Sequence, residues 1–254
     1  MTTVVVLWTQ SINARHPVGI PGAAAWRYRR GMGRRPELPH PPRLAAPDLP
    51  RDLADSSVLH RHGDHVRERI AGLTGAVDAA HAALTECAVV AASLDRLDLT
   101  GATLVDVELQ ELRASSVSAR EARLRRVRVS GGRIGSLDLG GAGVDEVELR
   151  GVRIDYLSLG GAKVEDVLIA GCTITTIDLP LATLSRVRFE DSRADEVDAR
   201  GMRADSLDLR GLDAVAYLDV AALRGANLSP WQVEQLAPAL AASLGIDVRD
   251  GADG

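Results

Sequence analysis

From Leu94 to Leu209 every fifth residue is apolar. The series begins Leu94, Leu99, Leu104, Leu109, Ala114, Ala119, Leu124 and Val129. It continues through Ile134, Leu139, Val144, Leu149, Ile154, Leu159, Val164 and Ile169, then Ile174, Leu179, Leu184, Phe189, Ala194, Ala199, Ala204 and Leu209. Two residues before each stands a second apolar or small residue, as in Leu97, Ala102, Val107, Leu112 and Val117. Asp, Arg, Glu, Ser and Gly fill the positions between. A five-residue period matches neither the 3.6-residue helical repeat nor the simple alternation of a long strand. It reads as in–out–in–out–turn, a short strand followed by a corner. No insertion or deletion breaks the phase over this span.

The second inward position alternates in size. Leu97, Val107, Val117, Val127, Leu137, Val147 and Leu157 recur every ten residues, with mostly Ala, Gly or Cys between them. Ten residues is half a turn of a four-sided coil, so large side chains fill two opposite walls of a narrow shaft and small ones the other two. Gly101, Gly131, Gly141, Gly151, Gly161, Gly171, Gly201 and Gly211 fall at corners, where a positive φ closes a tight turn. The remaining corners carry residues such as Asp106, Glu146, Asp166, Arg186 and Glu196.

The stretches Leu97-Asp98-Leu99-Thr100-Gly101-Ala102-Thr103-Leu104 and Arg203 to Gly211 resemble the A(D/N)LxG pattern of the pentapeptide-repeat family. The resemblance covers residues 75–228, and the chain departs from the pattern in rarely using Phe or Asn. It implies an all-β solenoid, a right-handed quadrilateral parallel β-helix with four pentads per coil. Residues 75–218 then make about seven coils, a rod roughly 34 Å long at a strand spacing of ~4.8 Å.

A solenoid needs caps over its end coils. Ser229-Pro230-Trp231-Gln232 reads as a capping box opening a helix over 229–246, with Gly245 as its stop and Pro238 inside it. Val233, Leu236, Ala237, Leu240 and Leu244 fall on one face of that helix. The helix resembles one that follows the repeats in actinobacterial pentapeptide-repeat proteins of the fluoroquinolone-resistance type. Trp231, Val233, Leu236, Leu240 and Leu244 are therefore candidates for a cap or for a homodimer contact. Residues 51–74 are expected to cap the other mouth. Residues 1–50 hold the Arg-rich, Pro-rich stretch without periodicity. They are expected to be a disordered arm, or, in their first 31 residues, an extension ahead of a start at Met32. Residues 247–254 are expected to be a disordered tail.

Composition narrows the functional classes. The chain has 254 residues, long enough for one sizeable core and at most two domains. Aromatics are only 3%, which favours a narrow regular interior built from Leu, Val, Ile and Ala. No apolar run reaches the ~18 residues that span a bilayer, so no membrane partner is expected and the location reads as cytoplasmic. Net charge is -5, but Arg15, Arg27, Arg29, Arg30, Arg34, Arg35 and Arg43 stand against Glu37 alone before residue 48. The basic excess sits in the arm.

Candidate chemistry is sparse. His60-Arg61-His62-Gly63-Asp64-His65 is the one cluster of ligand types, at no recognised metal spacing, and reads as a loop. Cys87 and Cys172 occupy inward positions about four coils apart, too far for a disulfide. No nucleophile elbow, phosphate loop or cofactor motif is present, so no enzyme and no cofactor is expected. The outward columns are more informative, because residues twenty apart stack. One acidic column is Asp78, Asp98, Asp138, Asp178 and Asp198, with Ser118 and Ser158 between. A basic column on the preceding wall is Arg113, Arg133, Arg153 and Arg193. A third runs Glu86, Asp106, Arg126, Glu146, Asp166 and Arg186. The Asp column fits either local backbone bonding or a stripe that meets a basic partner. The leading functional reading is a rigid scaffold for an unidentified protein partner. The family resemblance implies an alternative, a DNA mimic acting on a type II topoisomerase such as DNA gyrase. A third reading is nucleic-acid binding through the arm, where Trp26 and Tyr28 interleave with Arg.

Overall fold

The computed structural model describes residues 38–249. The Arg-rich stretch before residue 38, Trp26, Tyr28, the Met32 start and the last five residues lie outside the described residues. The chain winds as a parallel β-solenoid of about eight coils, with strands beginning at Ala54.

Each coil pairs one long strand with one short strand, as in Thr103–Gln110 and Arg113–Ser118. Long strands stack only on long, and short on short. The register is twenty residues: Val107, Val127, Val147, Val167, Val187 and Leu207 are successive partners. Leu97, Val117, Leu137, Leu157, Ile177 and Val197 form the matching stack on the short strands. The five-residue apolar series is buried throughout, apart from the partly exposed Ala204, and meets the second inward positions in one continuous shaft. That is the arrangement the pentad period predicts. A strand of this kind buries nothing alone, and its inward residues are covered only by neighbouring walls and coils.

Corners continue the hydrogen-bond ladder. Leu99 N–H donates to Ser118 O at 2.7 Å and Ala119 N–H to Asp138 O at 2.7 Å, while Gly101 N–H reaches Arg120 O at 2.8 Å. Backbone groups in the turns therefore find partners one coil away, as buried amides require. Three of the four corners per coil adopt positive φ, as at Gly101 (67°), Asp106 (55°) and Glu111 (53°). Glycine supplies only some of these. A left-handed non-glycine residue costs ~1–2 kcal/mol, and the inter-coil ladder offsets it. The fourth corner, at Ser116, Ser136, Tyr156, Thr176 and Glu196, is not among the positive-φ residues. Glu196 therefore does not belong with Asp106, Glu146, Asp166 and Arg186.

The phase shifts by one residue near the N-terminus. Ile70 pairs with Val89, nineteen residues on, and the register moves to twenty between Gly75 and Ala76. Ile70 and Leu73 are thereby buried, where unbroken stepping would have placed Arg69 at the centre and Gly72 at the second inward position.

At the other end the strand Ala226–Asn227 pairs with Leu207 and Asp208, and helix α1 (Pro230–Ser243) follows. The capping box forms: Ser229 Oγ accepts from Gln232 N–H, and Gln232 Oε1 accepts from Ser229 N–H. Gln232 is also the anchor. Its buried Nε2 donates to Leu209 O and Leu212 O, both at 2.7 Å. Leu236 and Leu240 pack against the core, whereas Trp231, Val233 and Leu244 are exposed. The single apolar face expected for Val233, Leu236, Leu240 and Leu244 is thus divided, because a polar hook at Gln232 sets how the helix lies. The helix ends at Leu244 and Gly245 (φ 74°), as the glycine stop predicts.

Candidate interaction surface

The acidic column stacks as the twenty-residue step requires, with Asp98, Ser118, Asp138, Ser158, Asp178 and Asp198 in register. Four of its carboxylates are occupied locally. Asp78, Asp98, Asp138 and Asp198 accept from the backbone N–H of Ala80, Thr100, Gly140 and Arg200, at 3.1, 3.0, 2.8 and 3.1 Å. Each also pairs with an arginine: Arg61, Arg96, Arg120 and Arg200 respectively. This is the short-range turn bonding that Asp favours beside a strand.

Asp178 is different. Residue 180 is proline, which has no N–H to donate. Among the described residues Asp178 makes no ion pair, and its partner is the Tyr156 hydroxyl, which donates to it at 2.7 Å. That bond is the largest cause holding the Tyr156 phenol above its ordinary range. Tyr156 is 40% exposed and Leu181, after Pro180, is 74% exposed. Among the described residues the acid–arginine pairing of the column therefore breaks at Asp178 alone, beside Tyr156 and ahead of Pro180 and Leu181.

The basic column also stacks in register. Arg133 and Arg153 share Asp155, at 3.0 and 3.7 Å, and Arg193 reaches Asp213 at 3.7 Å. Arg113 makes no ion pair among the described residues.

The third column is the most tightly paired. Arg126 grips Asp106 through two bonds of 2.6 Å. Arg186 grips Asp166 at 2.6 and 2.7 Å and also pairs with Glu165. Asp106 and Asp166 are each only 6% exposed. Pairing of this two-pronged kind is strong and directional.

Residues 38–50 bear on this column. Arg43 N–H donates to Asp166 Oδ1 at 2.7 Å, Ala45 N–H to Glu146 Oε2 at 3.2 Å, and Asp48 N–H to Asp106 Oδ1 at 3.0 Å. The segment runs down the column as a strap. Three coil steps measure ~14 Å at ~4.8 Å each, and five residues of polyproline helix span ~15 Å at ~3.1 Å each. Pro39, Pro41, Pro42, Pro47 and Pro50 favour that extended form. No residue of 38–50 is fully buried. Hydrogen bonds to charged acceptors contribute ~1.5–3 kcal/mol each, while ordering a residue costs ~1–2 kcal/mol. Three bonds against six ordered residues nearly cancel, so the strap is held near balance.

Electrostatics beneath the strap are lopsided. Asp145 is pushed above the usual carboxylate range, first by burial and then by Glu146 and Glu165. Arg125 is the cation beside Asp145 and Glu146, at 3.9 Å from each. Elsewhere the pairing lowers carboxyl pKa values: Arg126 does so for Asp106 and Arg210 for Asp208. Both folded values lie below the unfolded ones. Their stabilisation is present above the unfolded Asp value of ~3.9 and is lost as pH falls through the lowered folded value. The melting temperature is accordingly expected to hold between pH 7 and 5 and to drop on acidification below about pH 4, in a circular-dichroism series. A steady decline from pH 7 to 5 would contradict this.

Other candidates resolve as packing. Cys87 and Cys172 are buried free thiols, each pushed up mainly by burial. The rings of His60 and His65 lie 5.2 Å apart, as do those of His62 and His81. Among the described residues no three His, Cys, Asp or Glu side chains converge as metal ligands, and no helix is long and apolar enough to cross a membrane. Sequence reading missed three contributors: Tyr156, whose corner position held no periodic signal; Leu181, hidden as a corner substitute for Gly; and the strap, which has no repeat at all.

No protein-family model matches the chain, and no curated protein matches it. Among solved structures it is similar to a trypsin-treated form of QnrB1, a plasmid-mediated fluoroquinolone resistance protein. Identity is 13%, the TM-score is 0.32, and the match covers 77% of this chain and 97% of that one. It is also similar to HetL, a pentapeptide repeat protein involved in heterocyst differentiation regulation from the cyanobacterium Nostoc sp. Strain PCC 7120. There identity is 15%, the TM-score is 0.22, and coverage is 65% and 87%. With one apolar centre per five residues and twenty residues per stacked coil, this chain is a parallel β-solenoid of five-residue repeats closed by a C-terminal helix.

Proposed function

We propose that this protein is a non-enzymatic, rigid scaffold that binds a protein partner on the wall of Tyr156, Asp178 and Leu181. The observation that carries the reading is the break in the charge ladder. Elsewhere on the column the carboxylates are already satisfied by their own backbone and arginines, so they offer a partner little. At the break an exposed aromatic ring bonds a carboxylate that makes no ion pair, and an exposed leucine follows three residues after that carboxylate on a stiff frame. Exposed tyrosine with adjoining apolar surface is the usual make-up of an energetic centre in a protein interface. The flanking residues Asp138 and Asp198 frame it with paired charge. A DNA-like surface would need rows of carboxylates free of arginine, and the pairing seen here favours a protein partner over occupation of a topoisomerase's DNA site.

The test uses a photo-reactive amino acid at Leu181 in the full chain, with a second at Arg113 on another wall as comparison. The adduct formed at Leu181 identifies the partner, and affinity is then measured with the purified pair. Tyr156→Ala is expected to weaken that affinity at least tenfold, and Arg113→Ala to leave it within twofold. Equal effects of the two substitutions would defeat the reading. So would inhibition of gyrase supercoiling by the purified protein at micromolar concentration, which would favour mimicry.

A further inference from the structure

The carboxylate column under residues 43–48 behaves as a binding site that already holds a ligand. We propose that the corner column of Asp106, Glu146 and Asp166 is a docking track for an extended, proline-flanked basic segment of another protein, and that this chain's own residues 43–48 keep it closed. Three features of the contact support the inference. First, among the described residues every hydrogen bond from the strap to the column comes from a backbone N–H, those of Arg43, Ala45 and Asp48. Such bonds carry no side-chain identity, so any extended segment with donors at the same spacing can replace it. This is the logic of peptide capture along a sheet edge, with carboxylates in place of carbonyls.

Second, charge under the strap selects a basic occupant. Asp145, Glu146, Glu165 and Asp166 face the segment, and Arg125 and Arg186 are the cations among them. Two carboxylates are left over. Arg43 of the strap lies beside Asp166 and lines an open groove with Leu44, Ala45, Asp145, Glu146 and Glu165. Asp145 is pushed upward first by burial and then by Glu146 and Glu165.

Third, the strap has no buried residue of its own. It is joined to the solenoid at one end through the residues leading to the strand Ala54–Ser56. Release therefore disturbs no core side chain. An occupant bound to a site that its own chain fills must compete, and apparent affinity falls by the fraction of time the site is open. The proposal concerns a different face from the Tyr156 wall and stands or falls separately.

The experiment keeps the full chain. Replacing Arg43 and Ala45 by proline removes two donors while preserving the extended form. A fluorescein-labelled peptide of residues 38–50 with Asp48→Asn, which makes it net basic, is titrated by anisotropy against wild type and the Arg43→Pro/Ala45→Pro variant. The variant is expected to bind the peptide at least tenfold more tightly than wild type. Adding Glu146→Gln to that variant should reverse most of the gain, and the gain should shrink with salt. Equal binding by wild type and variant overturns the proposal, as does no binding by either. A shift of the variant to a dimer in light scattering also overturns it, since the track would then serve a second copy. A measurement free of folding questions uses Glu146→Gln alone: trypsin should cut after Arg43 faster than in wild type. Unchanged cleavage would mean that Glu146 does not hold the strap.

Discussion

Leu139→Asp is expected to lower the melting temperature further than any surface change in this protein. Leu139 is a buried centre residue, walled by Leu137, Val144 and the stacked Leu159 and Ala119. The side chains lining the shaft around Leu139 are all apolar and offer a carboxyl no donor, and a buried carboxyl without a partner costs several kcal/mol even after it takes up a proton. Because coils support one another as neighbours, the damage spreads to the coils on both sides. Thermal unfolding followed by circular dichroism should show a drop of 10 °C or more, taking ~4–8 °C per kcal/mol for a small cooperative unit and less for a larger one. Arg113→Asp, on an exposed and unpaired position, serves as the comparison and should change little. Similar melting of the two variants would mean the pentad centre does not face inward.

Gly132→Ala is the second large effect. A Cβ placed at Gly132 would lie 2.2 Å from Leu112 O and 2.7 Å from Leu112 N, and the residue sits at φ 83°. Both contacts are backbone atoms of the adjoining coil, which cannot swing aside as a side chain could. The neighbouring coils carry Leu112 and Val152 in the same position, so side chains fit this wall where the backbone is regular. Gly131 and Gly132 together take positive φ and displace the chain locally; Arg153 N–H reaches Gly132 O only at 3.3 Å. Alanine must either accept strain of about 3 kcal/mol or force the pair back to the regular path. Denaturant unfolding distinguishes these outcomes. A midpoint well below wild type is expected, and an unchanged or raised midpoint would show that the turn relaxes.

The paired columns give these predictions a common setting. A solenoid wall built from alternating acids and arginines is not an acidic or a basic surface in any useful sense. Its exposed pairs contribute little individually, yet they remove the charges from circulation. What remains available is set by exceptions: Asp178 without a turn donor, Arg113 without an acid, and the surplus of carboxylates around Asp145.

Much of this was legible in the residues. The five-residue period and its polar complement specify which side chains point inward, because alternation is a local property of an extended chain. Repeating it without interruption from Leu94 to Leu209 leaves no competing register. The same holds for the capping box at Ser229 and Gln232 and the stop at Gly245, where each bond spans a few residues. The columns Asp98–Asp138–Asp178 and Arg113–Arg133–Arg153 also followed from the period.

Which members of those columns remain unpaired did not follow, and the cause is physical. Some acids pair two residues away, as Asp98 does with Arg96, but other contacts depend on atoms twenty or more residues away: Arg126 on Asp106, Tyr156 on Asp178, Gln232 on two carbonyls of the last coil. The strap is the extreme case, with 58 to 123 residues separating its donors from their acceptors. A backbone N–H looks alike in every residue except proline, so a segment that binds through N–H alone leaves no mark in its composition. Only stacked coils, by placing Asp106, Glu146 and Asp166 on one line, create something for it to bind.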